Sequence, residues 1–455
     1  MEFEKILSEI NKFYRINKTK DIKFRIDSLK KLRESIIEYE SEILDAIRLD
    51  LGKGEFEGYS SEIGFVIKEL DYLISNLKNI SKPQKVKTSL INFPGKSKLV
   101  NEPYGVALVI APWNYPFQLT LGPLIGAVGA GNCCVVKPSE VSSNSAKVIE
   151  KIILSAFDEN HVRVILGDSL VASKLLDLKF DYIFYTGSTQ VGRIVMEKAA
   201  KNLTPVTLEL GGKSPVIVDR TSNLKAASRR VVWGKFLNCG QTCIAPDYLY
   251  VHEDVKEEFL KLMFYEIENF YGNNTKSSSY YGKIINSRHF ERLESYLPGN
   301  KILYGGDLDI EKLYFSPTII EGNWNLKVMS EEIFGPILPV FSYTDEDEVI
   351  SIINSKPKPL ALYLFSKSSK TIDNFINNTS SGGVCINDTI SHILGDLPFG
   401  GVGESGMGKY HGRWTFDTFS HKKGVLLKNP NVDPKFRYPP YKMSLKQIKR
   451  LFRFI

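Results

Sequence analysis

The chain has 455 residues, 43% of them hydrophobic and 24% charged, with a formal net charge of +7. That composition excludes a disordered or fibrous chain, and the length suggests two or three domains around a substantial apolar core. Residues 431–455 hold seven basic residues and one acid, so the tail carries +6 and the body only +1, which gives the body no electrostatic reason to bind nucleic acid.

No apolar run reaches the roughly 20 residues that a membrane-spanning helix needs. The first 30 residues are charged and helix-like and lack the apolar core of a signal peptide, which leads us to expect a cytoplasmic protein. Five cysteines at irregular spacing argue against a disulfide framework and fit a reducing compartment.

Residues 22–80 read as two long amphipathic helices, with Ile63, Val66, Ile67, Leu70, Leu73, Ile74 and Leu77 recurring at helical spacing. Residues 81–104 read as strand and loop. Short β-rich apolar runs then appear at 106–111, 133–136, 162–166, 182–185 and 206–210. Helical patterning fills 117–129, 144–156, 169–176 and 190–201. This alternation predicts an α/β fold with a parallel, Rossmann-like sheet covered on both faces. Ligands bind such sheets beyond the carboxyl ends of the strands. The residues there are Pro112-Trp113-Asn114, Lys137-Pro138-Ser139-Glu140, Thr186-Gly187-Ser188 and Gly211-Gly212-Lys213. A second α/β region follows over 213–405.

Three stretches invite a chemical reading. Cys243 ends Asn238-Cys239-Gly240-Gln241-Thr242-Cys243. It is either a buried core thiol or a nucleophile, and the polar, glycine-containing turn weighs equally against the usual preference for the core. Cys239 has no second cysteine pair or histidine spacing to make a zinc site, so no metal is expected. Glu209 lies between two leucines. It is either a structural carboxylate paired with a donor or a general base whose pKa burial raises. Gly212-Lys213-Ser214 is not a phosphate loop, because position 207 is Thr and Pro215 follows at once. In residues 184–192, Gly187 and Gly192 frame a strand-to-helix turn. Its N–H groups suit either a pyrophosphate or an ordinary turn.

Taken in order, Pro112-Trp113-Asn114, Lys137-Pro138-Ser139-Glu140, residues 184–192, residues 208–215, Gly240-Gln241-Thr242-Cys243, residues 331–336 and Pro398-Phe399-Gly400-Gly401 resemble the aldehyde dehydrogenase superfamily. The resemblance spans the chain to about residue 430. Tyr410-His411-Gly412 and residues 416–421 look like the class 3 branch, which acts on fatty and aromatic aldehydes and is usually dimeric.

The resemblance implies that Cys243 attacks the aldehyde carbonyl and that Asn114 and the Cys243 N–H hold the oxyanion. It implies that Glu209 activates water to hydrolyse the thioester. Trp113, Lys137, Glu140, Gly187, Ser188, Gly192, Glu332 and Phe334 are then expected to bind the cofactor. Glu140 would repel a 2′-phosphate, which favours NAD, with NADP kept open. The expected organisation is a cofactor domain (1–80 and 103–210), a catalytic domain (211–405), small β oligomerisation strands (81–102 and 419–430) and a basic tail (431–455).

In the tail, Ser444 and Gln447 have capping-box spacing, and Met443 with Ile448 suits a hydrophobic staple. Leu445, Ile448, Leu451, Phe452 and Ile455 mark one face of a short basic helix. It suits either an anionic membrane surface or docking on the protein's own body or a partner subunit. Tyr115 and residues 390–393 are expected to shape an apolar substrate tunnel. The competing readings are a dehydrogenase that passes the acyl group to coenzyme A and a non-catalytic binding protein on the same fold. The base Glu209 disfavours the first, and the presence of Cys243, Glu209 and Asn114 together disfavours the second.

Overall fold

In the computed structural model, which describes residues 2–393, 395 and 397–453, the apolar runs between 106 and 210 pair into one parallel sheet. Its strands are Val106–Ile110, Cys133–Lys137, Val162–Val164, Tyr182–Thr186 and Val206–Glu209. Every residue in them is buried except Arg163 and Val206, which are half-buried. Such continuous burial is what a sheet covered on both faces requires. Side chains still alternate: Ala107, Val109, Cys134, Val136 and Phe184 join one core, and Val106, Leu108, Cys133, Val135 and Ile183 join the other. The cover is Pro116–Ala130, Ser143–Ala156, Ser169–Leu176 and Thr189–Ala200, close to the helices expected from patterning.

Val106–Ile110 is flanked by Cys133–Lys137 on one side and Tyr182–Thr186 on the other. The chain order therefore reverses between Val106–Ile110 and Tyr182–Thr186, opening a crevice at their carboxyl ends. Asn114 follows one of these strands and Gly187 the other. The free side of Val206–Glu209 is closed by an antiparallel pair, Gly406–Met407, with Gly406 opposite Glu209. Patterning did not reveal this return of the chain to the first sheet.

Residues 22–80, expected as two long helices, are more broken. They form Ile22–Glu38, Glu40–Leu51 and Glu55–Gly58, which runs through a π turn, Tyr59–Ile63, into Gly64–Ile80. The break after Leu51 comes from Gly52, whose φ of 69° ends the helix and returns its N–H to the Arg48 carbonyl. Lys53 follows and is turned into the interior, 1% exposed.

A second sheet of seven strands has Ile337–Tyr343, Tyr248–His252 and Pro215–Val218 at its centre. It is parallel except at the Ile302–Tyr304 edge. A third, antiparallel sheet joins Gln84–Val86, Lys96–Pro103 and Ser420–Leu427. In the tail, Ser444 Oγ accepts from the Gln447 N–H at 3.4 Å, while the Ser444 N–H donates to Gln447 Oε1 at 2.8 Å. This capping box starts the helix Leu445–Leu451. Leu445 and Phe452 are exposed, and Ile455 lies outside the described residues. Among the described residues no helix is long and apolar enough to cross a membrane.

Candidate active site

Helix Leu224–Phe236 ends just before a sharp reversal, in which Asn238, Cys239 and Gly240 take φ values of 52°, 53° and 72°. Gly240 is required because a Cβ there would lie 2.3 Å from the Gly335 carbonyl oxygen. Left-handed backbone costs a non-glycine residue about 1–2 kcal/mol, so Asn238 and Cys239 must be held. The Asn238 N–H donates to Glu57 Oε1 at 2.9 Å, and the Gln241 N–H donates to the Asn238 carbonyl at 3.0 Å. The Gln241 side chain donates to the Asn238 and Lys283 carbonyls and accepts from the Ile285 N–H, each at 3.0 Å. The Tyr363 hydroxyl donates to the Ile244 carbonyl at 2.6 Å. Of the two thiols, Cys239 is wholly buried and Cys243 is half-buried and faces a cavity. Burial pushes the Cys243 thiol up, and the Glu332 and Glu209 carboxylates add to it.

Asn114 lies between strand Val106–Ile110 and helix Pro116–Ala130 and is 3% exposed. Its Nδ2 donates to the Gln241 carbonyl at 3.0 Å, and its own carbonyl accepts from Asn238 Nδ2 at 2.8 Å. Glu209 ends its strand, 2% exposed, and among the described residues neither carboxylate oxygen has a hydrogen-bond partner. Burial holds this carboxyl far above the usual carboxylate range. The structural alternative, a carboxylate satisfied by a donor, finds no donor among the described residues. Glycine at 400 leaves room beside it: a Cβ there would stand 3.1 Å from Glu209 Oε1.

The remaining predicted residues lie along the same edge. Lys137 Nζ pairs with Glu140 Oε2 at 2.5 Å, the lysine side chain buried and the carboxylate partly exposed. Ser188 Oγ caps helix Thr189–Ala200 through the Val191 N–H at 3.4 Å. The Gly187 N–H is taken by the Glu209 carbonyl at 3.0 Å, so it pairs strands and is not free to meet a phosphate. The two glycines of that turn serve packing: a Cβ on Gly187 would lie 2.2 Å from the Tyr185 hydroxyl, and one on Gly192 2.7 Å from Leu210 Cδ2. A Cβ on Gly211 would lie 1.8 Å from Glu332 Oε2, so this notch lets the Glu332 carboxyl reach the strand end. Burial raises the Glu332 carboxyl to about 8, with Asp247 adding and the Gly212 N–H, Lys213 and Arg292 opposing. Trp113 meets Phe334 edge-on at 5.4 Å and packs on His289 at 4.9 Å. A carboxyl over a glycine notch, an aromatic wall and a lysine–glutamate pair at a strand end are groups that fit a dinucleotide.

A cavity of about 1180 Å³ opens on Cys243 and is lined mainly by apolar side chains, among them Phe65, Tyr115, Leu119, Trp233, Ile393 and Phe399. Ile390 and Ser391 also line it, as expected. Lys53, Glu57 and His411 are among its ionisable exceptions. Sequence reading passed over Lys53, Glu57 and Glu62, although Gly52-Lys53-Gly54, a lysine between two glycines at a helix break, was a visible signal. In the sequence Gln241 and Asn238 stand only as neighbours of the cysteine, and their anchoring roles need the folded turn. Among the described residues no group of three or more metal-ligating side chains is found.

The family model described as the aldehyde dehydrogenase family matches residues 2–425. The 4,4'-diaponeurosporen-aldehyde dehydrogenase of Staphylococcus aureus is 48% identical over 97% of each chain. Aldehyde dehydrogenase family 3 member A2 of Mus musculus is 46% identical, over 96% of this chain and 91% of its own. A solved structure of Staphylococcus aureus AldH in a substrate-bound state superposes with a TM-score of 0.97 at 47% identity, covering 99% of both chains.

Proposed function

From a chain that belongs to the aldehyde dehydrogenase family, and is an NAD(P)-dependent enzyme of its class 3-like branch, we propose the following finer chemistry. The enzyme oxidises a medium- or long-chain aliphatic or an aromatic aldehyde to its carboxylate, through a thioester on Cys243. The carrying observation is the half-buried Cys243 thiol, which faces an apolar cavity from a turn whose Gln241 carbonyl orients the Asn114 amide.

The Cys243 thiol gives its proton to ionised Glu209, which releases it to solvent, and the sulfur bonds to the carbonyl carbon as the carbonyl π pair moves onto oxygen. One Asn114 amide hydrogen is already committed to the Gln241 carbonyl. The second, with the Cys243 N–H, holds the oxyanion. A nicotinamide held near Trp113, Glu332 and Phe334 would supply the acceptor for the hydride that leaves the carbonyl carbon. Glu209, once ionised, takes a proton from water as that water attacks the thioester carbon. The C–S bond then breaks and the sulfur leaves as thiolate. A carboxyl without a protein donor suits this role, since nothing but water competes for its proton.

Trp113, Lys137, Glu140, Gly187, Ser188, Gly192, Glu332 and Phe334 form the cofactor surface in this reading, Gly187 and Gly192 through packing. Glu140 sets the preference for NAD. The antiparallel sheet that includes Ser420–Leu427 is the dimerisation element, and the basic tail gives the cytoplasmic enzyme a peripheral hold on anionic membrane. A panel of aldehydes followed by NADH absorbance tests the substrate class: specificity should rise with apolar chain length. A preference for short charged aldehydes, or acyl-CoA as the main product, would overturn the reading.

A further inference from the structure

Beside Asn114, at the border of the cavity, lies a buried ion pair that the chemistry above does not use. Lys53 Nζ stands 2.9 Å from Glu62 Oε1, and neither side chain has any exposure. A buried pair seldom stabilises a fold better than apolar side chains of the same size, so its retention calls for another cause. Resting on the reading of Asn114 as oxyanion donor, we propose that Lys53 and Glu62 are positioning residues that aim the Asn114 amide at the reacting carbonyl and hold the Tyr115 ring in the cavity wall.

The pair grips residues 114–118 almost residue by residue. Lys53 Nζ also donates to the Asn114 carbonyl at 3.3 Å, and it lies 3.7 Å from the centre of the Tyr115 ring. Glu62 Oε2 accepts the Phe117 and Gln118 N–H groups at 3.0 Å each. Those N–H groups open helix Pro116–Ala130, where no carbonyl of the helix can reach them. Pro116, between them and Tyr115, has no N–H to offer.

The same cluster reaches the nucleophile's turn. The Asn114 carbonyl takes a second bond from Asn238 Nδ2, and the Asn238 N–H is held by Glu57, whose carboxylate feels the Lys53 charge. Two donors on one carbonyl fix the plane of the peptide that follows Asn114. Fixing that plane constrains the direction of its Cα–Cβ bond and so of the amide. Tyr115 is tied to the nucleophile's segment as well, its hydroxyl 2.7 Å from Thr242 Oγ1. The Glu57, Lys53 and Glu62 cluster therefore holds the amide wall and the cysteine wall at one distance.

The test uses the full chain with Lys53→Met, which keeps length and removes charge, and the isosteric Glu62→Gln, which decides should Lys53→Met not fold. Single-turnover acylation of Cys243 is measured with NAD affinity, in each variant and in Asn114→Ala. We expect either variant to slow acylation by about 10- to 100-fold, the scale of a small misplacement, with NAD affinity within about two-fold of the parent. In the Asn114→Ala background the same substitution should cause no further slowing. Acylation within two-fold of the parent, or losses that multiply in the double variant, would overturn the proposal alone. Parental acylation in Asn114→Ala would instead remove the oxyanion reading on which it rests.

Discussion

The Asn114 side-chain amide donates to the Gln241 carbonyl at 3.0 Å, so a residue of the first sheet is oriented by the turn that presents Cys243. Only one of its two amide hydrogens is left for substrate. Replacing Asn114 by Ala should lower kcat by about 100- to 1,000-fold, the usual cost of one oxyanion donor. Asn114→Asp should do worse, because its carboxylate would face both the Gln241 carbonyl and the oxyanion. Steady-state kinetics of the two variants checks the order; an aspartate variant as active as the alanine variant would contradict it.

Cys243→Ala should abolish aldehyde oxidation and leave NAD binding within a few-fold of the parent, measured by fluorescence titration. Glu209→Gln should act most on the later step. It should still form the thioester but hydrolyse it about 100- to 10,000-fold more slowly, the range general bases contribute. Intact-protein mass spectrometry after mixing with aldehyde and NAD should show the acyl adduct on Glu209→Gln and not on Cys243→Ala.

The pH dependence follows from Glu209. Burial raises its pKa in the folded protein, whereas hydrolysis needs the ionised form, so the deacylation rate should climb with pH well above the ordinary carboxylate range. Stability runs the other way. The advantage of the protonated carboxyl is complete below its unfolded pKa and is lost as pH rises through the folded one. Glu209→Gln should therefore match the parent's Tm in acid and exceed it at neutral and alkaline pH. Thermal melts across pH measure this, and an unchanged difference at every pH would argue against a raised Glu209.

Glu140 carries a partly exposed carboxylate paired with Lys137. Glu140→Ala should remove the repulsion toward a 2′-phosphate and free the Lys137 ammonium to meet it. The ratio of kcat/KM for NADP to that for NAD should rise by about ten-fold or more, a change of about 1.4 kcal/mol. Paired initial-rate measurements with the two cofactors decide.

Residues 431–455 carry a net charge of +6 with Leu445 and Phe452 exposed. Full-length protein should co-sediment with anionic liposomes at low salt more than a chain truncated after residue 430, and less so as salt rises. Equal binding by the two would remove the tail from membrane contact.

What could be read from the sequence, and what could not, divides along range. Continuous apolar runs such as Cys133–Lys137 announce a buried parallel strand by local composition. They thereby put Asn114, Lys137 and Glu209 at the carboxyl ends of strands, where Lys137 and Glu209 are the last strand residues and Asn114 follows its strand. The break at Gly52 was hidden because apolar residues keep helical spacing on each side of it, Ile43, Ile47 and Leu51 before and Ile63, Val66 and Leu70 after. The Lys53 and Glu62 pair was hidden for a different reason: its partners, Asn114, Phe117 and Gln118, lie more than 50 residues away. Ionic contacts of that range leave no periodic trace. At Gly187 and Gly192 the residues were visible but their cause was not, since Tyr185 and Leu210 reveal the packing only when folded.

The antiparallel pairing of Gly406 with Glu209, and of Ser420–Leu427 with Lys96–Pro103, bears on how the protein is made. Each joins segments separated by about 200 residues or more, the kind of contact that forms slowly because a long loop must first close. On the ribosome the strand that ends in Glu209 emerges long before its last neighbour. Until residue 407 has been synthesised, that strand keeps an unpaired edge with apolar Leu208 beside it. The nascent chain thus passes a long stretch of its synthesis with the Glu209 carboxyl on an open sheet edge, and chaperone demand should fall once the final fifty residues are out.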